Sequence, residues 1–432
     1  MRLKYPYAAQ MLLVVIVSLL TFAVAGAEVL TLDQCIDTAL KNNYGVIAAA
    51  NSYDAARGQV YTAWGDILPT ISISAGANRN WPGFFDVYTF QRRTDSYSGA
   101  LTFGQTYGGL GLNHYANINR RYHERGSSYY DLFSARSNLV QQVKESYYSL
   151  LKAKTLVDVA ADAVKRGEEG LRVAQSRFDL GSASMSDVLK ARVQYGNDKL
   201  DLVTQTNAYK SAQANLAFTM GLDVNQEIEV DQNYPEREFN VSFDEAMTEA
   251  LSHNPDYRKA QFDYSTAKDL QLISYSNLLP SLSLGLSHRT NVNRFADLTG
   301  FKEGDASYTA FASLNFNIFN GFNDYAALRA ARKNVQTSGE NLNTTRNNVA
   351  LTLRQAFLDI ELAREARQLS NESVAAAQED LNLVKEKYRL GAATILEVLD
   401  AEVSLKQAQT NQVQSIFDYN LAVSRLEKAM GR

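Results

Sequence analysis

The 432 residues carry a formal charge of −4, 45% hydrophobic residues and one cysteine. A mildly acidic balance offers no basic footprint for nucleic acid, and a single cysteine excludes a disulfide framework, so packing must hold the fold. The length leaves room for two or three ordinary domains.

The N-terminus comes first. Arg2 and Lys4 precede an apolar stretch over residues 11–20, and the small residues Ala25-Gly26-Ala27 follow it as a cleavage site. This is the pattern of a secretory signal peptide, residues 1–27, with the mature chain expected to start near Glu28. A membrane anchor is the competing reading, and the short apolar core and A-x-A ending speak against it. Losing Arg2 and Lys4 takes the formal charge to −6. Cys35 follows Leu32-Asp33-Gln34, which is not a small-residue context, so no lipid attachment is expected. After Leu20 no run of apolar residues is long enough for a membrane-spanning helix.

Thr31 with Gln34 fits a capping box, and one helix is expected from there to Leu68-Pro69. The period then switches. Ile71, Ile73, Ala75 and Ala77 alternate with Thr70, Ser72, Ser74, Gly76 and Asn78, a strand signal. A second strand is expected from Tyr97 to Tyr107. Trp81, Phe84, Phe85, Tyr97 and Tyr107 lie near the expected strand ends, where they read either as an aromatic girdle or as ordinary packing. A proline-free tract from about Tyr115 to Phe178 predicts a single helix of roughly 100 Å, longer than a globular domain is wide. Leu180-Gly181 stops it, and a return helix of about 37 residues reaches Gly221.

The same parts then recur 210 or 211 residues on. Leu32-Asp33 becomes Phe243-Asp244, Asn43 becomes Asn254, Leu68-Pro69 becomes Leu279-Pro280, and Met220-Gly221 becomes Met430-Gly431. Ser242 with Glu245 repeats the capping box. Leu282, Leu284 and Leu286 alternate with small polar residues, and so do Leu314, Phe316 and Ile318, predicting two more strands. A helix from about Tyr325 to Tyr388 ends at Leu390-Gly391. "RFDLGSASMSDVLKARV" (177–193) lies on "KYRLGAATILEVLDAEV" (387–403), so one helix turn is built twice. The division expected is a first unit over 28–221, a linker over 222–241 and a second unit over 242–432.

Four strands, each with one apolar and one small polar face, cannot close a barrel, and open strand edges are not tolerated in lipid. Pooling strands from several chains answers this, and three chains would give twelve. The amphipathic helices, taken alone, read as a coiled-coil scaffold.

The order of parts, the duplication, the Leu-Pro strand starts and the paired "RFDLG" and "YRLG" turns resemble the TolC family of outer-membrane efflux proteins over essentially the whole mature chain. The resemblance implies a mainly α fold with a membrane β-barrel. It implies a homotrimer with a 12-stranded β-barrel, four strands per chain, continued by a long α-helical barrel in the periplasm. The short helix of each half would stack end to end on the return helix. It implies a passive exit duct in the outer membrane, serving a tripartite efflux or type I secretion system. The partners would be a periplasmic adaptor and an inner-membrane pump of RND or ABC type, and the pump would select the cargo.

The resemblance also places residues. The turns, with Leu180, Gly181, Leu390 and Gly391, would be the hairpin tips where the adaptor docks. Glu397 and Asp400 would ring the periplasmic entrance. Asp187 and Tyr388 match an acid and a tyrosine of a gate latch, but Ala393 stands where the latch arginine would be, with Arg389 and Lys387 nearby. Any single acid here also reads as a solvated helix face or a first-turn dipole partner.

Other signals lead nowhere. His114, His123, His253 and His288 show no metal-ligand spacing. "GGLG" at 108–111 sits where a strand yields to a helix and is not a nucleotide loop. No G-x-S-x-G or Walker motif is present, so neither an enzyme nor a cofactor site is expected. The reading from another class is a periplasmic adaptor or scaffold with a compact β-domain. Such a domain would bury both strand faces, which the small polar residues argue against.

Overall fold

The computed structural model describes residues 29–87, 90–231, 241–292 and 306–432. The expected signal peptide, residues 1–27, and residues 232–240 of the expected linker lie outside the described residues. The elements in chain order are β1 (Val29–Leu30), α1 (Leu32–Asn42), α2 (Tyr44–Gly65), β2 (Thr70–Asp86), β3 (Gln91–Tyr107), a 3₁₀ turn (Gly108–Gly111), α3 (Leu112–Asp179) and α4 (Met185–Thr219). They continue with β4 (Glu229–Val230), α5 (Phe243–His253), α6 (Pro255–Ser276), β5 (Ser281–Val292), β6 (Ala306–Asn315), α7 (Asn323–Arg389) and α8 (Ile395–Met430).

Both capping boxes form. Gln34 N–H donates to Thr31 Oγ1 at 3.4 Å while Thr31 N–H donates to Gln34 Oε1 at 2.8 Å. Ser242 and Glu245 do the same at 3.3 and 3.1 Å. The single helix expected up to Leu68-Pro69 is two helices. Asn43 ends α1, its N–H bonding to Ala39 O, and its Oδ1 caps α2 by accepting from Gly45 N–H at 2.9 Å. Asn254 does the same between α5 and α6, accepting from Asp256 and Tyr257 N–H at 3.1 Å, with Pro255 at the first helical position. Proline there cannot continue the preceding helix but suits a new one.

The chain divides into two compact units, each drawing on both sequence halves: residues 48–135 with 247–351, and residues up to 47 with 136–246 and 352–432. The first unit holds a four-stranded antiparallel sheet in the order β2-β3-β5-β6. β2 pairs only with β3, and β6 only with β5, so among the described residues each leaves one edge unpaired. The last strand is shorter than expected. β6 stops at Asn315, and Phe316, Ile318 and Phe319 lie exposed beyond it. The ladder runs out there because Ser281, the partner of Asn315, is preceded by Pro280. Proline has no N–H to donate, and the Pro280 carbonyl already accepts from Leu110 N–H at 3.0 Å. Helices of this unit are tied by Trp64 Nε1–H to Tyr122 Oη at 3.2 Å and by His123 Nδ1 against Asp269 Oδ2 at 2.6 Å.

The second unit holds the far parts of α3 and α7, with α4 and α8 returning beside them. Leu139, Val143, Tyr147 and Leu150 are buried along one face of α3, and Val398, Ala401, Leu405 and Ala408 along one face of α8. Spacings of three and four residues make these stripes. Fully burying a leucine in such a stripe is worth about 1.5–3 kcal/mol. Lys406 on α8 reaches across to α4, 3.3 Å from Asp198 Oδ1 and 2.7 Å from Asp201 Oδ2. Burial alone would raise the Asp201 carboxyl, but hydrogen bonds from Lys406 and Gln205 outweigh it and hold it below its ordinary value. The contribution of that pair is present above the ordinary Asp range and is lost as pH falls through the lowered value. Cys35 is fully buried on α1, and burial pushes its thiol up to about 11. The α1 end meets the α4 end, where Asn43 Nδ2 donates to Thr219 O at 3.5 Å.

Candidate functional site

Two surfaces stand out, one in each unit. The first is the sheet. Its register puts Ile71, Phe103, Leu286 and Ala310 in one cross-strand row, and Ile73, Leu101, His288 and Tyr308 in the next. Residues paired across strands share a face, so these rows form one apolar face. The opposite face carries rows such as Ser72, Thr102, Ser287 and Thr309. Ile73 is 83% exposed and Tyr308 76% exposed within one chain. So large an apolar face needs a cover other than water. The band runs from the row of Tyr107 to the row of Tyr97, ten residues along β3. That is about 33 Å along the strand, or about 25 Å for a strand tilted some 40°, the height of the apolar belt of a membrane barrel.

Of the expected girdle aromatics, Trp81 sits at the register irregularity between Arg79 and Phe84, 89% exposed, and Phe85 is exposed close by. Tyr107 ends β3, its hydroxyl donating to Ile67 O at 3.4 Å. Tyr97 is not at a strand end. β3 begins at Gln91, and Tyr97 lies inside it between Ala77 and Val292. The side chain of Phe84 lies outside the described residues. Just past Tyr97, Arg79 and Asp95 close the band with a paired fork at 2.6 and 2.9 Å.

The second surface is the pair of helix turns. At the first, Gly181 N–H donates to Phe178 O at 2.8 Å and Ser182 N–H to Arg177 O at 2.8 Å. At the second, Gly391 N–H donates to Tyr388 O at 3.1 Å and Ala392 N–H to Lys387 O at 2.8 Å. These are Schellman caps, and they need the left-handed φ of +75° and +77° that Gly181 and Gly391 adopt. Leu180 and Leu390 stand exposed beside them. Valine at either glycine is strained whatever the space around it, at about 1–2 kcal/mol each. The double Gly181→Val, Gly391→Val variant is expected to fray both turns. Limited proteolysis should then cut first at 177–184 and 387–394, and unchanged protection would contradict the caps.

Asp187 and Glu397 occupy equivalent places in two further capping boxes. Ser184 N–H donates to Asp187 Oδ2 at 3.1 Å, and Thr394 N–H and Oγ1–H donate to Glu397 Oε1 at 3.0 and 2.9 Å. The backbone and hydroxyl hydrogen bonds from Thr394, with Lys387 nearby, hold the Glu397 carboxyl below the ordinary range. Glu397 stays exposed, and Asp400, one turn on, is exposed on the same side of α8. Lys190 stands where Asp400 would repeat, so only the second helix start carries an acid at both of these positions.

Asp187 and Tyr388 are not joined within the chain. The Tyr388 hydroxyl is buried without a hydrogen-bond partner. Arg177 holds the tyrosine instead. Its guanidinium lies 4.2 Å above the Tyr388 ring and its Nη2–H donates to Arg389 O at 2.9 Å, tying the first hairpin to the second. Arg177 was part of the repeated motif, but its partner 211 residues away leaves no local signal. Ala393 is half-buried and carries no charge. Among the described residues no cluster of metal-capable side chains exists, and no helix is long and apolar enough to cross a membrane.

The chain matches the family model described as outer membrane efflux protein over residues 35–222 and 246–432. It is 24% identical over 416 residues to the pyoverdine export outer membrane protein OpmQ of Pseudomonas putida, covering 93% of this chain and 85% of that one. It is 23% identical over 405 residues to the outer membrane protein TolC of Vibrio cholerae, covering 93% of this chain and 90% of that one. The solved outer membrane protein VceC of Vibrio cholerae superimposes with a TM-score of 0.83 at 17% identity, covering 93% of this chain and 96% of that one. A two-faced strand quartet, two capped helical hairpins and this match across both halves lead to one conclusion: the chain belongs to the outer membrane efflux protein family and is an outer-membrane efflux channel of TolC-like fold.

Proposed function

We propose that three copies of this chain pool their sheets into a twelve-stranded barrel, with β6 of one copy beside β2 of the next, and act together as a passive exit duct. The observation that carries this is the sheet itself: an exposed apolar face, a small polar face and, among the described residues, an unpaired edge on each side. Closure by neighbours satisfies both edges, puts lipid on one face and leaves water on the other. Residues 28–221 and 242–432 are two versions of one unit, joined by 222–241. Leu180, Gly181, Leu390 and Gly391 present the turns to a periplasmic adaptor, and an inner-membrane pump supplies energy and cargo. Glu397 and Asp400, three copies of each, ring the entrance. Tyr388 and Asp187 are the gate contacts, Tyr388 acting through Arg177.

The test is conductance in a planar bilayer. Like charges in a narrow mouth draw cations, with the field focused by low-dielectric walls. Multivalent cations added on the turn side are expected to block the current, more strongly at low salt. Because Glu397 is held below the ordinary Glu range, block should persist at pH values where an exposed glutamate is half protonated. The Glu397→Ala, Asp400→Ala protein should lose most of the block and part of its cation preference. Wild-type block in that variant would remove these residues from the entrance, and membrane-inserted protein that never conducts would contradict the duct.

A further inference from the structure

Arg289 on β5 belongs to the polar face of the sheet, and its surroundings there are unusual for an arginine. The register sets it between Ala100 on β3 and Ser307 on β6, with Ser74 one strand further. Ser287 and Asn291 flank it on the same face of β5. None of these can neutralise a guanidinium. The other arginine of the strands with a described side chain, Arg79, is paired with Asp95 on the opposite face. Arg289 is exposed, and among the described residues no carboxylate pairs with it. A long cation held among small neutral residues contributes little to the sheet, but it projects charge over them.

We infer that Arg289, repeated three times around the barrel, forms a cationic ring in the lumen that favours anionic solutes, carboxylates and phosphates above all. This rests on the pooled barrel proposed above. Guanidinium is never deprotonated at physiological pH and presents a donor fork to carboxylate or phosphate oxygens. Water in the lumen and lipid outside make the wall a low-dielectric sleeve, which concentrates the ring's field on passing ions. The ring opposes the acids at the helix turns in sign, so the duct would carry separate stations for cations and anions.

The experiment compares the full-length protein with Arg289→Gln and Arg289→Lys in planar bilayers, across a salt gradient at low ionic strength. Arg289→Gln is expected to raise the cation-to-anion permeability ratio by about twofold or more, and Arg289→Lys to leave it near wild type. Inorganic pyrophosphate should reduce the wild-type current, act more weakly on Arg289→Lys and not act on Arg289→Gln. Near 1 M salt, where screening acts over about 3 Å, the three should converge. An Arg289→Gln channel with wild-type selectivity and wild-type pyrophosphate block overturns the ring while leaving the duct standing. A wild-type channel indifferent to pyrophosphate at low salt overturns it even if the glutamine variant fails to assemble. Unaltered protein that forms neither channels nor trimers removes the barrel and the ring together.

Discussion

Arginine in place of Phe103 is expected to keep the protein out of the outer membrane. Phe103 sits in mid-band on the apolar face, between Ile71 and Leu286. An arginine facing lipid at mid-depth costs about 2–4 kcal/mol, and three copies per barrel bring this to roughly 6–12 kcal/mol, comparable with the whole stability of a domain. Its chain neighbour Thr102 points the other way, between Ser72 and Ser287. Arginine there enters water and is expected to cost within about 0.5 kcal/mol. The readout is the amount of heat-modifiable protein in outer-membrane fractions. A Phe103→Arg loss with Thr102→Arg retention is expected. The reverse pattern would exchange the lipid and lumen faces.

Alanine in place of Leu405 is expected to destabilise the second hairpin by about 2–5 kcal/mol, the range for emptying a buried leucine site. Leu405 is 1% exposed and packs with Leu381 and Ala401, against Val374, Ala377 and Val384. Alanine leaves a cavity that two long helices cannot close without sliding past each other. The adjoining Lys406 would lose part of its hold on Asp198 and Asp201 as α8 loosens. Exposed Ser404, one residue away, should tolerate alanine within about 0.5 kcal/mol. Thermal unfolding followed by helix circular dichroism separates the two. Equal midpoints for Leu405→Ala and Ser404→Ala would mean that the α7–α8 seam is not packed as described.

Much of this architecture is legible in local pattern. Leu-Gly at 180–181 and 390–391 announced the caps, and period two over residues 70–78 and 281–287 announced the strands, because cap chemistry and pleat are properties of neighbouring residues. The breaks at Asn43 and Asn254 were also written there, as an asparagine before a new helix and as Asn254-Pro255. Each is a signal of only one or two residues inside an otherwise helix-forming stretch, which masks it. The end of β6 was not legible from its own residues. Phe316 and Ile318 continue the alternation, and what stops the ladder is Pro280 on the partner strand. Arg177 stayed hidden for a similar reason: its hold on Tyr388 and Arg389 depends on how two hairpins meet. The acids at 187 and 397 were visible as acids. Only the geometry shows that each is engaged in capping its own helix.

The most direct measurement is the mass of the protein particle purified in detergent, with the detergent contribution subtracted. Four strands with both edges unpaired among the described residues require neighbours in lipid, so the expected particle holds three chains, unfolds as one species and shows the sheet protected along β2 and β6 in hydrogen exchange. A folded particle of a single chain, with β2 and β6 exchanging freely, would contradict the pooled barrel.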